Sequence, residues 1–332
     1  MLPLILVTGG TGLLGNNIIR KLLEDGRRVR ALVRSTADGR PFENLDVEIV
    51  QGELSDPSAL AAAAKGCSAV IHAAAMIHLG WEKQSESHEV NVVGTSNLAK
   101  VCIDVGARLV YVSTVNTLNA ATAVDQPLDE SNQGGVPLAE CAYVVSKTNA
   151  ERAVLEMVEN DGLNAVIVKP GFMLGPYDWK PSSGRMMLEV AKAPLVAAPP
   201  GGCSVCDVRD VSAGAVAAIE KGQPGESFIL AGENISYADF WRKLRQVAGK
   251  STFVYRLKPR VQLLGKAIDA FRKVIPIREG DVNGASIQLG CLFHCYDSSK
   301  ARQQLGYANR PLDETLECSW EWLAEHHLRS RK

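Results

Sequence analysis

The chain has 332 residues, a formal net charge of −1, and 46% hydrophobic against 22% charged residues. That size fits one large domain with a smaller companion, and that balance excludes a disordered or fibrous chain. With no lysine or arginine run to make a local field, neither nucleic acid nor a membrane surface is expected as a partner, and no stretch approaches the roughly 20 apolar residues of a bilayer span.

In chain order, the apolar start, Leu2 to Val7, lacks a basic leader and is too short for a signal-peptide core, so it reads as a first strand, Leu4–Thr8, and the expected location is cytoplasmic. Further strand-like runs follow at Val29–Arg34, Val47–Gln51, Ala69–Ala73, Arg108–Ser113 and Ala165–Lys169. Helical segments fit between them at about Leu13–Glu24, Ser58–Ala64, Ser87–Val105 and Cys141–Asn160. This rhythm of βαβ units predicts an α/β fold, a doubly wound parallel Rossmann sheet. After Lys169, prolines at 170, 176, 181, 194, 199 and 200 break the periodicity. Two more strand-like runs, Ser204–Val208 and Ser227–Leu230, then precede helices at about Tyr237–Ala248 and Leu316–His326. The expected division is a dinucleotide-binding domain of 1–170 plus about 204–232, and a discontinuous α/β substrate domain of about 171–203 plus 233–332.

Eight cysteines include the pairs Cys203-x-x-Cys206 and Cys291-x3-Cys295, but no second pair follows at zinc-ribbon spacing, so no metal is expected. They read as small buried hydrophobes.

The first strand runs directly into Thr8-Gly9-Gly10-Thr11-Gly12-Leu13-Leu14-Gly15, which opens the first helix. Strand, glycine loop and helix together make a dinucleotide site: glycines bring bare backbone N–H groups against a pyrophosphate, and the helix N-terminus adds partial positive charge. About 20 residues on, where an acidic residue would take the ribose hydroxyls of NAD, stands Arg34. A guanidinium there could pair with the 2′-phosphate of NADP, a contact of roughly 1.5–3 kcal/mol or about 10–100-fold in preference. NADP(H) is therefore the expected cofactor, with NAD(H) possible, and Ser35 and Arg40 are potential helpers.

Tyr143-Val144-Val145-Ser146-Lys147 places a phenol and an ammonium one helical turn apart on one face. Lys147 is expected to lower the pKa of Tyr143 and make it an acid/base near neutral pH. Thr114, at the end of the preceding strand, lies where open α/β sheets bind ligands.

With these motifs together, the chain resembles the extended short-chain dehydrogenase/reductases, in their dihydroflavonol-reductase and 3β-hydroxysteroid-dehydrogenase branch. The resemblance is carried also by Glu53-Leu54-x-Asp56, His72-Ala73-Ala74-Ala75, Asn91-x2-Gly94-Thr95, Lys169-Pro170-Gly171 and Asp297-x2-Lys300-Ala301-x3-Leu305-Gly306-Tyr307. It implies that Tyr143 moves the hydroxyl proton, Lys147 binds the nicotinamide ribose, Thr114 aligns the carbonyl and Asn91 joins a water-linked proton path. It also implies a cofactor groove lined by Ala73, Ala74, Ala75 and Thr95, with Glu53 and Leu54 at the adenine and Pro170 and Gly171 near the nicotinamide. A homodimer through the helices carrying Asn91 and Tyr143 is implied likewise. Glu53 stands where the family usually has Asp, and Lys169 where it usually has Arg. Asp210 resembles a structural position and reads as the N-cap of the alanine-rich helix after it.

The same scaffold serves nucleotide-sugar epimerases and dehydratases, whose members commonly carry an Asn just after the strand at Ala165–Lys169. Here that place is apolar, Gly171-Phe172-Met173-Leu174. Met76, His78, Trp81, Phe172, Met173 and Tyr177 are the candidate substrate residues, and they suit a bulky, largely apolar small molecule. The expected reaction is NADP(H)-dependent reduction of a ketone or oxidation of a secondary alcohol. The alternatives are an NAD-dependent nucleotide-sugar epimerase or dehydratase, for which Arg185, Arg209 and Arg278 could build a basic pocket, and a non-catalytic dinucleotide sensor.

Overall fold

A computed structural model describes residues 3–132, 134, 141–263, 265, 267, 280 and 283–328. The elements run β1 (Leu4–Thr8), α1 (Leu13–Glu24), β2 (Arg28–Val33), β3 (Glu48–Gln51), α2 (Pro57–Ala64), β4 (Cys67–His72), α3 (Gln84–His88), α4 (Gly94–Val105), β5 (Arg108–Val112), α5 (Ala142–Asp161) and β6 (Ala165–Pro170). They continue with β7 (Phe172–Leu174), α6 (Ser183–Lys192), β8 (Ala197–Ala198), β9 (Gly202–Asp207), α7 (Val208–Ala217), β10 (Ser227–Leu230), β11 (Glu233–Ser236) and α8 (Tyr237–Val247). Beyond these lie β12 (Tyr255–Arg256), α9 (Gly284–Gly290), β13 (Phe293–His294), α10 (Ser299–Leu305) and α11 (Leu312–Leu323).

The main sheet has seven strands in the order β10-β6-β5-β4-β1-β2-β3, all paired in parallel. Helices cover both faces, which is why β1 reads as the continuous apolar run Leu-Ile-Leu-Val-Thr and is buried throughout. Ile5, Val7, Ile18, Ile19 and Leu22 close one face with α1 and α7; Leu6, Leu60, Leu98 and Leu109 close the other with α2, α4 and α5. Each such side chain contributes about 1.5–3 kcal/mol by leaving water. The strand order reverses between β1 and β4, so a crevice opens at their C-terminal ends, where ligands bind in such sheets.

The smaller unit is built on a second sheet, β11-β9-β13 with β7 beside β9, packed under α6, α8 and α11 by Phe240, Leu244, Leu316 and Trp322. Here the expected division needs correcting. The run at 204–208 was placed with the dinucleotide-binding domain, but β9 pairs with β7, β11 and β13 and never joins the main sheet. Within 204–232, α7 and β10 return to the large domain, α7 against α1 and β10 against β6, and from the expected substrate domain α10 joins the same core through Ala301 and Leu305. β9 is buried along its whole length, so its alternating sequence carried no sign of which sheet it completes. Asp210 is not the N-cap of α7 either. Asp207 caps it by accepting from Arg209 N at 2.8 Å, while Asp210 binds the Arg310 guanidinium at 2.9 Å.

Candidate active site

The glycine loop is shaped by two contacts of the protein with itself. Gly9 has φ +78°, and a Cβ there would lie 2.6 Å from Ala74 N; a Cβ on Gly15 would lie 2.2 Å from Gly9 O. Both glycines are demanded by backbone against backbone. Gly12 differs: its φ is ordinary, the nearest atom to an added Cβ is its own loop's Gly9 O at 3.4 Å, and it is exposed. It caps α1 with no side-chain partner and no acidic residue in the first turn, so the helix presents uncovered N–H groups of Leu13, Leu14 and Gly15. A site shaped for its own packing at Gly9 and Gly15, yet open at Gly12 and electropositive, fits a pyrophosphate against Thr11–Gly15.

Behind the loop, Thr8, His72, Thr95 and Asn91 form a buried relay. Thr95 Oγ1 donates to Asn91 O at 2.6 Å, so it accepts from His72 Nε2 at 2.9 Å. His72 Nδ1 then accepts from Thr8 Oγ1 at 2.7 Å, which fixes the tautomer and leaves Thr8 Oγ1 to accept from Ala74 N at 3.3 Å. Burial, with the nearby Lys147 charge, holds His72 down at about 3, so it is neutral and structural. Thr95, expected in the groove lining, is 1% exposed and serves this relay, whereas Ala73 and Ala74 are half-buried and Ala75 is exposed.

Asn91 sits in a π-turn, Glu89–Val93, between α3 and α4. Its amide accepts from Met76 N at 2.7 Å and donates to Met76 O and to Ser146 Oγ, each at 2.9 Å. The role visible here is a brace between the loop after β4 and α5. The same loop caps α5: the carbonyls of Gly80 and His78 accept from Ala142 N at 2.8 Å and Tyr143 N at 3.1 Å. Leu54 packs against Gly94, where a Cβ would come within 2.8 Å of the Leu54 side chain. Glu53 is exposed beside it.

Tyr143, Lys147 and Glu151 follow one another by single turns along α5. The Tyr143 hydroxyl lies beside the Thr114 side chain, which favours its ionised form, and Lys147 Nζ donates to Val112 O at 2.7 Å and lies 4.2 Å above the Tyr111 ring. Burial pushes the Tyr143 phenol up to about 12, against the influence of Thr114. The expectation that Lys147 lowers this pKa is therefore not met in this state. The ammonium is drawn to the Val112 carbonyl and the Tyr111 face, and the removal of water from the phenol dominates. Burial also pushes Lys147 down to about 7; Glu151 opposes that shift and Lys169 adds to it.

Beneath these groups lies a feature that residue spacing did not reveal. Glu151 forms a buried ion pair with Lys169 and accepts from Ser113 Oγ and from Thr117 Oγ1, while Lys169 Nζ donates to Thr117 Oγ1 at 2.9 Å. The signal was present as Tyr143-x3-Lys147-x3-Glu151, a third polar residue on one helical face. Pro170 is buried and Gly171 follows at the end of β6, where a Cβ would meet Ser204 O at 2.6 Å.

The outlying candidates divide. Arg34 is exposed, beside Ser35 and Asp38 in a hollow of about 380 Å³ at the end of β2. Arg40 is held by Asp38 through Nε at 2.9 Å and Nη2 at 2.6 Å, so its charge is already matched. Met76, His78 and Trp81 stand in the loop against α5, with Ile77 56% and Leu79 41% exposed around them. Phe172 meets Phe240 edge-on at 5.7 Å, and Met173 packs against the main core. Tyr177 does not join the site. Its left-handed backbone (φ +66°) turns the ring onto the Arg20 guanidinium, 3.6 Å away, and toward Trp322. Arg209 is paired with Asp207 at 2.7 Å, and Arg278 lies outside the described residues.

The family model described as the NAD dependent epimerase/dehydratase family matches residues 5–231, across the glycine loop, the Tyr143 helix and β10. The chain belongs to this family. It is an oxidoreductase dependent on a nicotinamide dinucleotide, of the extended short-chain dehydrogenase/reductase type. It is 33% identical to a putative dihydroflavonol 4-reductase of Synechocystis sp., over 96% of this chain and 94% of that one. It is 32% identical to sterol demethylase protein B of Methylococcus capsulatus, over 91% and 92%. The crystal structure of gox2253 superposes with a TM-score of 0.86 at 33% identity, covering 98% of each chain.

Proposed function

We propose that this enzyme uses NADP(H) to interconvert a ketone and a secondary alcohol on a bulky, largely apolar small molecule, most readily in the direction of reduction. The observation that carries this reading is the Tyr143 phenol, protonated at neutral pH and set beside Thr114 at the C-terminal edge of the sheet. A bound nicotinamide supplies the hydride. Tyr143 hands its proton to the substrate oxygen, and Thr114, beside the phenol, holds that oxygen in line. Lys147, with one donor on Val112 O and others unspent, stabilises the phenolate left behind and can hold the ribose. Arg34, exposed and free of any ion pair among the described residues, is available to a 2′-phosphate.

The substrate class is supported by the exposed apolar residues Ile77 and Leu79 in the loop that caps the Tyr143 helix, and by the half-buried Phe172. The names of the relatives, a dihydroflavonol reductase and a sterol demethylase component, lie in the same direction. A nucleotide-sugar substrate would need cations for its diphosphate, and Arg209 is already neutralised by Asp207. A homodimer through α4 and α5 in the cytoplasm completes the proposal. Among the described residues no helix is long and apolar enough to cross a membrane.

The test is turnover with NADPH over a panel of polycyclic and long-chain ketones beside nucleotide sugars. NADPH consumption with the ketones is expected. Interconversion of a nucleotide sugar with no net consumption would replace this proposal by the epimerase.

A further inference from the structure

Most side chains of the site face the crevice, but Glu151 and Lys169 lie under it, 7% and 1% exposed, and touch no place a ligand could reach. Burying such a pair is costly unless its bonds are well satisfied, and replacing it by apolar residues is often harmless to stability. What it binds is informative. Glu151 accepts from Ser113 and Thr117, which flank Thr114, and Lys169 reaches Thr117 as well. Thr117 also lies within 2.9 Å of Thr114 O. The segment that carries Thr114 is therefore clamped on both sides to α5, the helix that carries Tyr143 and Lys147.

We infer that Glu151 and Lys169 are positioning residues for the reaction: bonded to Ser113 and Thr117, they hold the Thr114 segment against the helix that carries Tyr143 and fix the charges one helical turn from Lys147. This rests on the reading of Tyr143 as proton donor and Lys147 as its ammonium partner. The titratable and charged groups around Lys147 are few: neutral His72 from β4, the Tyr111 ring from β5, Tyr143 and Glu151 from α5 itself, and Lys169 from β6. Among the described residues Glu151 is the one anion of this group and Lys169 the one other cation. Burial brings Lys147 down to about 7, with Glu151 opposing that shift and Lys169 adding to it. Without Glu151 it would lose its proton more easily, and without Lys169 it would hold it harder. A pair too well screened to act on Lys147 would leave its proton affinity unchanged whichever half is removed.

The experiment follows the Lys147 side chain by NMR in protein carrying labelled lysine, with its signal assigned by its loss in Lys147→Met, so that no substrate or turnover is involved. In Glu151→Gln the titration midpoint should fall by about one pH unit or more, a tenfold loss of proton affinity; in Lys169→Met it should rise; in Lys169→Arg it should stay within about 0.3 of the original. Thermal unfolding of each variant is recorded beside it. Midpoints that stay put, or move the same way in Glu151→Gln and Lys169→Met, while unfolding temperatures drop would overturn the inference and leave a structural ion pair. If one single variant does not fold, the other decides by its sign: a fall in Glu151→Gln or a rise in Lys169→Met supports the inference, and an unmoved midpoint contradicts it. A wrong substrate assignment would leave all these titrations unchanged.

Discussion

The glycine loop and the turn at Arg34 flank the same groove and are held in opposite ways. Around Gly9 and Gly15 the backbone touches backbone, and Thr8, His72 and Thr95 lock the loop from behind. Around Arg34 the side chains face solvent, and the nearby ion pair, Asp38 with Arg40, is local and exposed. The first region is built before any ligand arrives; the second has reason for its residues only if a ligand arrives. The difference separates positions where substitution should damage the fold from positions where it should change only what is bound.

The largest effect is expected at Tyr143, the proposed proton donor. Tyr143→Phe should reduce kcat by about 10³–10⁴-fold while leaving NADPH affinity within about twofold, since the phenol lies beside Thr114 and not at the glycine loop. Steady-state kinetics with fluorescence titration of NADPH checks both halves. Gly15→Ala comes next. A Cβ 2.2 Å from Gly9 O must displace the loop, with an expected loss of about 1–3 kcal/mol in unfolding free energy and of cofactor binding with it. Gly12→Ala should separate the two, costing under about 1 kcal/mol by denaturant unfolding yet weakening NADPH more than about tenfold. If Gly12→Ala unfolds the protein as badly as Gly15→Ala, the contrast between packed and ligand-facing glycines is lost. Arg34→Ala should weaken NADPH by about 10–100-fold and leave NADH nearly unchanged.

The smallest expected effect lies far from the groove. Asp178 is buried, accepts from Gly184 N at 3.1 Å, and burial pushes its carboxyl up to about 6. An unfolded Asp titrates near about 3.9, so the folded protein holds this proton to higher pH. The associated stability is fully present below about pH 4 and is lost as pH rises through about 6. Asp178→Asn should therefore raise the unfolding temperature at pH 8, by no more than about 2 kcal/mol in free energy, and give no gain at pH 4. Scanning calorimetry at the two values checks the sign.

Where local pattern and global fold agree, the sequence was easily read. β1 and α1 lie at Leu4–Thr8 and Leu13–Glu24 as expected, because an apolar run, a glycine loop and an amphipathic helix each have a local cause. The Tyr143–Lys147 face follows from helical geometry alone. Long-range pairing was not legible. Nothing local in Gly202–Asp207 says that it completes the small sheet, and nothing near Tyr177 announces the left-handed turn that sends its ring to Arg20. The Glu151–Lys169 pair joins residues on two elements, and only the folded chain shows that both meet Thr117. The acidity of Tyr143 was misjudged for a related reason: a neighbouring ammonium can be read from spacing, but the burial that outweighs it cannot.

The most direct test of the central claim is titration of the purified wild-type protein with NADPH and with NADH, joined to denaturing extraction of any nucleotide it already carries. The account predicts NADPH bound at least about tenfold more tightly than NADH and freely exchanged, as a reductase that renews its cofactor each turnover requires. NAD that co-purifies and does not exchange would contradict it and mark an epimerase that returns its hydride to the substrate.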